Sequence, residues 1–386
     1  MSPRRSLRLA QSRSRQLLHQ HPNDSINDVD TDDLETDDLD TGDLDTSDLD
    51  TGDLDTGEFD TGEFDIDNCD TDSQNMEGTV VHRNYRWDCL EPNGIFVLSP
   101  NTPLPLAVAT YIKQLQAIQQ AVKQAAQEGI QQADQAAEAV ILLNNLGLET
   151  SEPRVVRCLE QYIFPPLTAP PTMQLARIES LPMPRHLLPQ PPSPNHLPVS
   201  QPRPNMLYGY PVTSLSSLFD PAQHLAIHNL DPQIRNYARV RGLVFPFLIV
   251  ECKAAASTQG SLWVAANQCA GASAACLQVI DRLNQELAQH DANAAEPVAN
   301  LCYSIAIDNN LAQLYVAWKD TQNGGRVYMQ RIQSFLLDRV DELLALRRRI
   351  EAILDWAFND QPGGRLYTVR GALDSITQTR QTQGAS

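Results

Sequence analysis

Leu243-Val244-Phe245-Pro246-Phe247-Leu248-Ile249-Val250-Glu251-Cys252-Lys253 is an apolar run that ends in two opposite charges. Its apolar part, Leu243 to Val250, is bounded by Arg241-Gly242 and by Glu251. It is too short for a buried helix and predicts a strand covered on both faces. Side chains alternate along a strand, so Glu251 and Lys253 share a face with Ile249, while Val250 and Cys252 point the other way. Ionised groups at the end of a buried strand cost several kcal/mol unless they are paired or bound to a metal. The placement of Glu251 and Lys253 therefore marks a candidate site, and the rest of the chain is read outward from it.

Downstream, Ser261-Leu262-Trp263-Val264-Ala265 opens a helix that runs to Leu287 and carries Asn267-Gln268-Cys269-Ala270-Gly271 near its start. Cys269 and Cys276 lie seven residues apart, on one face with Val264, Leu277 and Ile280, which makes them core fillers. Three strands follow at Leu301–Ile307, Ala312–Trp318 and Gly325–Phe335, with turn signals at Asp308-Asn309-Asn310 and Asn323-Gly324. A helix from Arg339 to Phe358 comes next, its Arg347, Arg348 and Arg349 read as a solvated face, and residues 361–386 read as a frayed tail.

Upstream, Val108, Ile112, Leu115, Ile118, Val122 and Ala125 approximate a 3.6-residue stripe within a helical region from Pro105 to Leu146, which Gly129 divides. Ser151-Glu152-Pro153 reads as the start of another helix, with Ser at the cap and Pro in the first turn. Residues 165–205 are rich in Pro and poor in charge, as expected of an extended surface connection.

The order of these pieces resembles the PD-(D/E)XK nuclease superfamily, and within it a fungal nuclease-like domain of unknown function. The resemblance is carried by Phe245 through Lys253, by Ser261 through Gly271, by Tyr315-x-x-Trp318 and by Ile353-Leu354-Asp355-Trp356, and it spans residues 77–360. It implies an α+β (α/β) fold, a restriction-endonuclease-like central mixed sheet flanked by helices, with residues 77–150 as a helical N-terminal part. It further implies that Glu251 is a metal ligand, that Lys253 positions or activates water, and that Gln268 orients substrate or water. Glu160, on the helix before the sheet, is the candidate for an additional carboxylate.

Pro204-Asn205 stands where the resemblance places the P-D motif, so Asn205 occupies the position of the expected acidic metal ligand. A neutral amide offers a cation only its carbonyl oxygen, and a hard ion such as magnesium or manganese typically uses one or two carboxylates. Unless Glu160, Asp220 or Asp231 approaches, Glu251 is left as the charged ligand. The implied activity is phosphodiester hydrolysis with Mg or Mn as cofactor. Three readings stay open: a nuclease-like, nucleic-acid-associated protein of impaired catalysis, an active nuclease, and a non-catalytic protein-interaction module in which Glu251 and Lys253 form a strand-end ion pair.

The formal charge of −19 is concentrated in one stretch. Asp28 to Asp72 holds 21 acidic residues and no Lys or Arg, so the remainder carries 29 basic against 27 acidic residues. That body is nearly neutral, a weak footprint for a binder of DNA or RNA unless its basic groups cluster. The acidic stretch, within residues 28–76, repeats every five residues, as in Thr41-Gly42-Asp43-Leu44-Asp45, and predicts disorder because one apolar residue in five buries too little to offset ordering entropy. The repeat also resembles a pentapeptide-repeat β-helix and, more loosely, calcium loops, but it is short for the first and lacks the bidentate Glu that closes the second. Tethered near a nuclease-like domain, it can compete in cis for a basic cleft. Residues 1–27 form a basic tail with Arg4, Arg5, Arg8, Arg13 and Arg15.

Seven cysteines show neither a C-x-x-C pair nor zinc spacing, which points to reduced thiols in an intracellular, nuclear or cytoplasmic protein. No apolar run reaches membrane-spanning length, so no membrane partner is expected.

Overall fold

Strand β4 (Leu243–Cys252) lies inside the sheet, next to its middle strand, and is buried at every position. In the computed structural model its neighbours are ordered β1-β7-β6-β5-β4-β3-β2 in one seven-stranded mixed sheet. The others are β1 (Ile95–Leu98), β2 (Ala176–Glu179), β3 (Met206–Pro211), β5 (Leu301–Ile307), β6 (Leu311–Asp320) and β7 (Arg326–Leu336). The structure describes residues 80–125, 130–146, 152–167, 175–229, 242–254, 261–290 and 297–384. Gly129, Asp231, the basic tail and the acidic repeat lie outside them.

β2, β3 and β4 form an antiparallel meander. β4 pairs in parallel with β5, which requires a crossover, and the long helix α6 defined below supplies it. β5, β6 and β7 are again antiparallel, and β1 adds in parallel at the far edge. Within β4 the ladder breaks. Register jumps from Tyr208–Leu248 to Tyr210–Val244, leaving two extra residues on β4. Pro246 lacks an N–H to donate and Phe245 sits at φ 48°, a strained value for a bulky residue, so both fall where pairing is interrupted. Gly209 faces this kink, and a Cβ there would lie 3.1 Å from the Val244 carbonyl oxygen.

Eight α-helices flank the sheet among the described residues: α1 (Leu106–Ala125), α2 (Ile130–Leu146), α3 (Glu152–Tyr162), α4 (Leu215–Leu218), α5 (Pro221–Asn229), α6 (Leu262–His290), α7 (Val340–Phe358) and α8 (Arg365–Gly384). Adjacent residues of β5 show that α6 and α7 lie on opposite faces. The Cys302 thiol contacts the Ser273 carbonyl of α6, while the Tyr303 ring packs edge-on against Trp356 of α7. Glu251 is in register with Ala306 and Ile249 with Ser304, so Glu251 faces the α6 layer with Cys302. The other layer contains α1, α2 and α3, which pack with α7 or with one another. Arg347 of α7 ties α3 into this layer by donating to the Tyr162 carbonyl. No helix of the described residues is long and apolar enough to cross a membrane.

The fold departs from the sequence expectations in three places. Within the expected frayed tail of residues 361–386, Arg365–Gly384 forms α8, which buries Leu366, Val369, Leu373 and Ile376, a stripe at helical spacing within a polar segment. Residues 165–205 are more than a surface connection, since they supply β2 and bury Met183, Leu187 and Val199. Arg349 is not on a solvated face: it is buried and donates to Gln333 of β7 at 2.9 Å.

Candidate functional site

Four side chains meet where β4 ends. Glu251 is 1% exposed, and its Oε1 lies 3.3 Å from Lys253 Nζ. The same ammonium lies 3.3 Å from Oε2 of Glu152, the first residue of α3. Asn205 precedes β3, the antiparallel neighbour of β4, and closes the group from the other side. Its backbone N–H donates to Glu251 Oε2 at 3.3 Å, and its Nδ2 donates to Glu152 Oε1 at 3.0 Å. Its Oδ1 accepts the Cys252 N–H at 2.7 Å, the shortest contact of the cluster.

The charge balance is two carboxylates to one ammonium. Burial pushes the Glu251 carboxyl up to about 7, opposed by Lys253 and by the Asn205 amide, and Glu152 adds a smaller push in the same direction. Near neutrality Glu251 is thus a carboxyl poised between its two forms. Burial alone lowers Lys253, but the two glutamates outweigh it and hold the ammonium above its ordinary value. The negative field also reaches α6, since the Glu251 charge adds to burial in raising the Cys269 thiol.

Local sequence explains why these residues converge. Glu152 occupies a helix first turn, where an acidic side chain is favoured by the unpaired N–H groups. Asn205 follows Pro204, whose fixed backbone delivers the chain extended into β3. Lys253 continues the alternation of β4 beyond its last paired residue, so its stem returns to the side of Glu251, and Lys253 N–H still donates to the Ile307 carbonyl of β5.

Of the residues expected at the site, Glu251, Lys253 and Asn205 are brought together. Glu160 is not. It lies eight residues beyond Glu152 on α3, about 12 Å along the axis at 1.5 Å per residue. It pairs instead with Arg177 of β2 at 3.3 Å, and burial raises its carboxyl. The helix carboxylate at the site is Glu152, which the sequence reading identified only as part of a helix start. Asp220 caps its own turn by accepting the Gln223 N–H at 2.8 Å. Gln268 makes no hydrogen bond to the four; its Oε1 is buried and finds no hydrogen-bond partner among the described residues. It immediately precedes Cys269. Asn267, its neighbour, is fully buried and accepts from Arg86 at 2.7 Å, with the Arg86 guanidinium over the Trp263 ring.

Among the described residues no three His, Cys, Asp or Glu side chains gather in a way that could hold a metal ion. The oxygens nearest to such a role are the carboxylates of Glu152 and Glu251. The Asn205 oxygen is committed to the Cys252 N–H, and its amide turns hydrogens toward Glu152.

Fold and site together define an α+β protein with an acid–lysine–amide cluster around a buried glutamate at the end of the interior strand β4. Residues 144–362, more than half of the chain, match the family described as Domain of unknown function (DUF7924), and the chain belongs to that family. The match takes in all four residues of the cluster. No curated protein and no solved structure matches the chain.

Proposed function

We propose that this protein is a nuclease-like module of the PD-(D/E)XK type that associates with DNA or RNA and has lost metal-dependent phosphodiester hydrolysis. One observation carries the reading: Glu251 and Lys253 sit at the end of an interior strand, with the Asn205 amide immediately before the adjacent antiparallel strand, where this assignment would put the P-D motif. The meander β2-β3-β4, the crossover through α6 to a parallel β5 and the antiparallel β6 support the same assignment, which implies a restriction-endonuclease-like core.

The residues present do not fit a magnesium or manganese ion as they stand. A hard dication needs several oxygen donors free to face it. Here Lys253 already supplies the positive charge between the two carboxylates, Glu251 is poised to take up a proton, and Asn205 offers hydrogens rather than a lone pair. No hydrolytic step is therefore assigned. What the site retains is an ammonium held at a strand end between two carboxylates, so attraction for a phosphate backbone has to come from cations around the cluster. Arg203, exposed and two residues from Asn205, is one such cation. The setting is intracellular, nuclear or cytoplasmic, where such ligands are found.

A second reading has one observation in its favour. Glu152 brings a second carboxylate to the place where Asn205 lacks one, which supports an active Mg-dependent nuclease. The two readings separate on labelled single- and double-stranded DNA and RNA incubated with the full chain, with and without Mg or Mn. The proposed reading expects binding that weakens as salt rises and no cleavage by wild type, with cleavage appearing in Asn205→Asp. Wild-type cleavage abolished by both Glu251→Ala and Glu152→Ala would establish the second reading instead. An absence of binding to all four nucleic acids would leave the protein-interaction reading.

A further inference from the structure

Helix α5 carries a second cluster of ligating groups. His224 and His228 are four residues apart, so they project from one face of the helix. Their rings lie with centroids 4.6 Å apart, and the two Nε2 atoms face each other at 3.0 Å. Both side chains are half-buried, and α5 is held in place against α8, where Gln223 donates to Asp374. We propose that His224 and His228 form a bidentate site for a divalent transition-metal ion of the nickel or copper class.

The spacing of the pair, set in the metal-free protein by a hydrogen bond between the rings, suits that class without rearrangement. With metal–nitrogen bonds of about 2.05 Å, two nitrogens 3.0 Å apart subtend an angle of about 94° at the ion. That is the angle between adjacent ligands in square-planar, tetragonal or octahedral coordination, which copper(II) and nickel(II) favour. A tetrahedral zinc site needs about 109°, so the nitrogens would have to separate to about 3.3 Å. Two histidines at this spacing on one helix face are an established chelating arrangement. Backbone preorganisation favours binding, because the helix holds both rings on one face before the ion arrives.

In the metal-free pair one Nε2 donates its hydrogen to the lone pair of the other. Two lone pairs must face the ion, so on binding the donating ring carries its hydrogen on Nδ1 instead. The neutral pair loses no proton overall. Water or a small anion completes the coordination.

The test uses the full chain and Ni²⁺ alone, in a His19→Gln/His21→Gln background that removes the other closely spaced histidine pair of the sequence. Isothermal titration is expected to show one Ni²⁺ per chain, bound more tightly than Zn²⁺. His224→Gln and His228→Gln should each weaken it by at least tenfold. The melting temperature of the background protein should rise with Ni²⁺, and that rise should vanish in either variant. A measurement independent of the variants is carbethoxylation of the background protein followed by peptide mass analysis. Ni²⁺ should protect His224 and His228 and leave His196 reactive. Equal labelling of His224 and His228 with and without Ni²⁺, or unchanged Ni²⁺ binding in both Gln variants, would overturn the proposal.

Discussion

Two lysines each pair with a buried carboxylate, Asp281 or Glu251, and they do so differently. Lys319 of β6 contacts Asp281 of α6 at 2.6 Å and Gln278 at 3.0 Å, while Asp281 also accepts from Gln285 at 2.8 Å. That pair is one acid to one base, short, and saturated by amides. Lys253 makes two contacts of 3.3 Å to two acids, and one of them is pushed up to about 7. The first arrangement fastens a strand to a helix. The second holds surplus negative charge, long contacts and a carboxyl poised to change protonation, which a purely structural pair does not need. Ion pairing alone therefore does not distinguish a clamp from a site; the stoichiometry and saturation of the pair do.

Replacing each lysine by methionine sharpens the contrast. Lys319→Met strands Asp281 in a buried position, and breaking such a pair costs about 3–5 kcal/mol. Lys253→Met leaves Glu251 able to take up a proton, so at pH 6 it should cost about 1 kcal/mol, since little charge then has to be held unpaired. Urea unfolding at pH 6 measures both. Equal losses would erase the distinction between clamp and site.

The pH dependence gives the next effect. Burial pushes the Glu251 carboxyl up to about 7 in the folded state from its ordinary value of 4.5, so between these values the folded state binds more protons than the unfolded chain. Its contribution to stability is fully present below about pH 4.5 and is lost as pH rises through about 7. The shift corresponds to about 3 kcal/mol. Glu251→Gln removes this dependence, so its stability relative to wild type should climb by about that amount between pH 4.5 and 8. A constant difference across that range would contradict the raised carboxyl.

Much of this fold was legible in the sequence, and the reasons are local. The apolar run before Glu251 marks β4 because no amphipathic helix reads that way, and the alternation of Glu251 and Lys253 follows from the strand period alone. The proximity of Asn205 to Glu251 is legible only through the order of motifs, since no local periodicity links them. Glu152 is not distinguished from Glu160 in the sequence, because periodicity along α3 does not reveal which of its turns meets the end of β4. Helix α8 was missed because Leu366, Val369, Leu373 and Ile376 form a narrow stripe among Thr, Gln and Arg, and its burial depends on the neighbouring helices. Arg349 looked solvated beside two other arginines, yet the acceptor that permits its burial, Gln333, lies on a different element.

The central claim is that Asn205 leaves Lys253 in the part a metal would play. Isothermal titration of full-length wild type and Asn205→Asp with Mn²⁺ at pH 8 tests it most directly. An aspartate at 205 would add a third carboxylate beside Glu152 and Glu251, and relief of that crowding by a dication should make binding at least tenfold tighter than in wild type. In the same experiment Asn205→Asp/Glu251→Ala should return to the wild-type level. Wild type binding Mn²⁺ as tightly as Asn205→Asp, with the affinity lost in Glu251→Ala, would contradict the account.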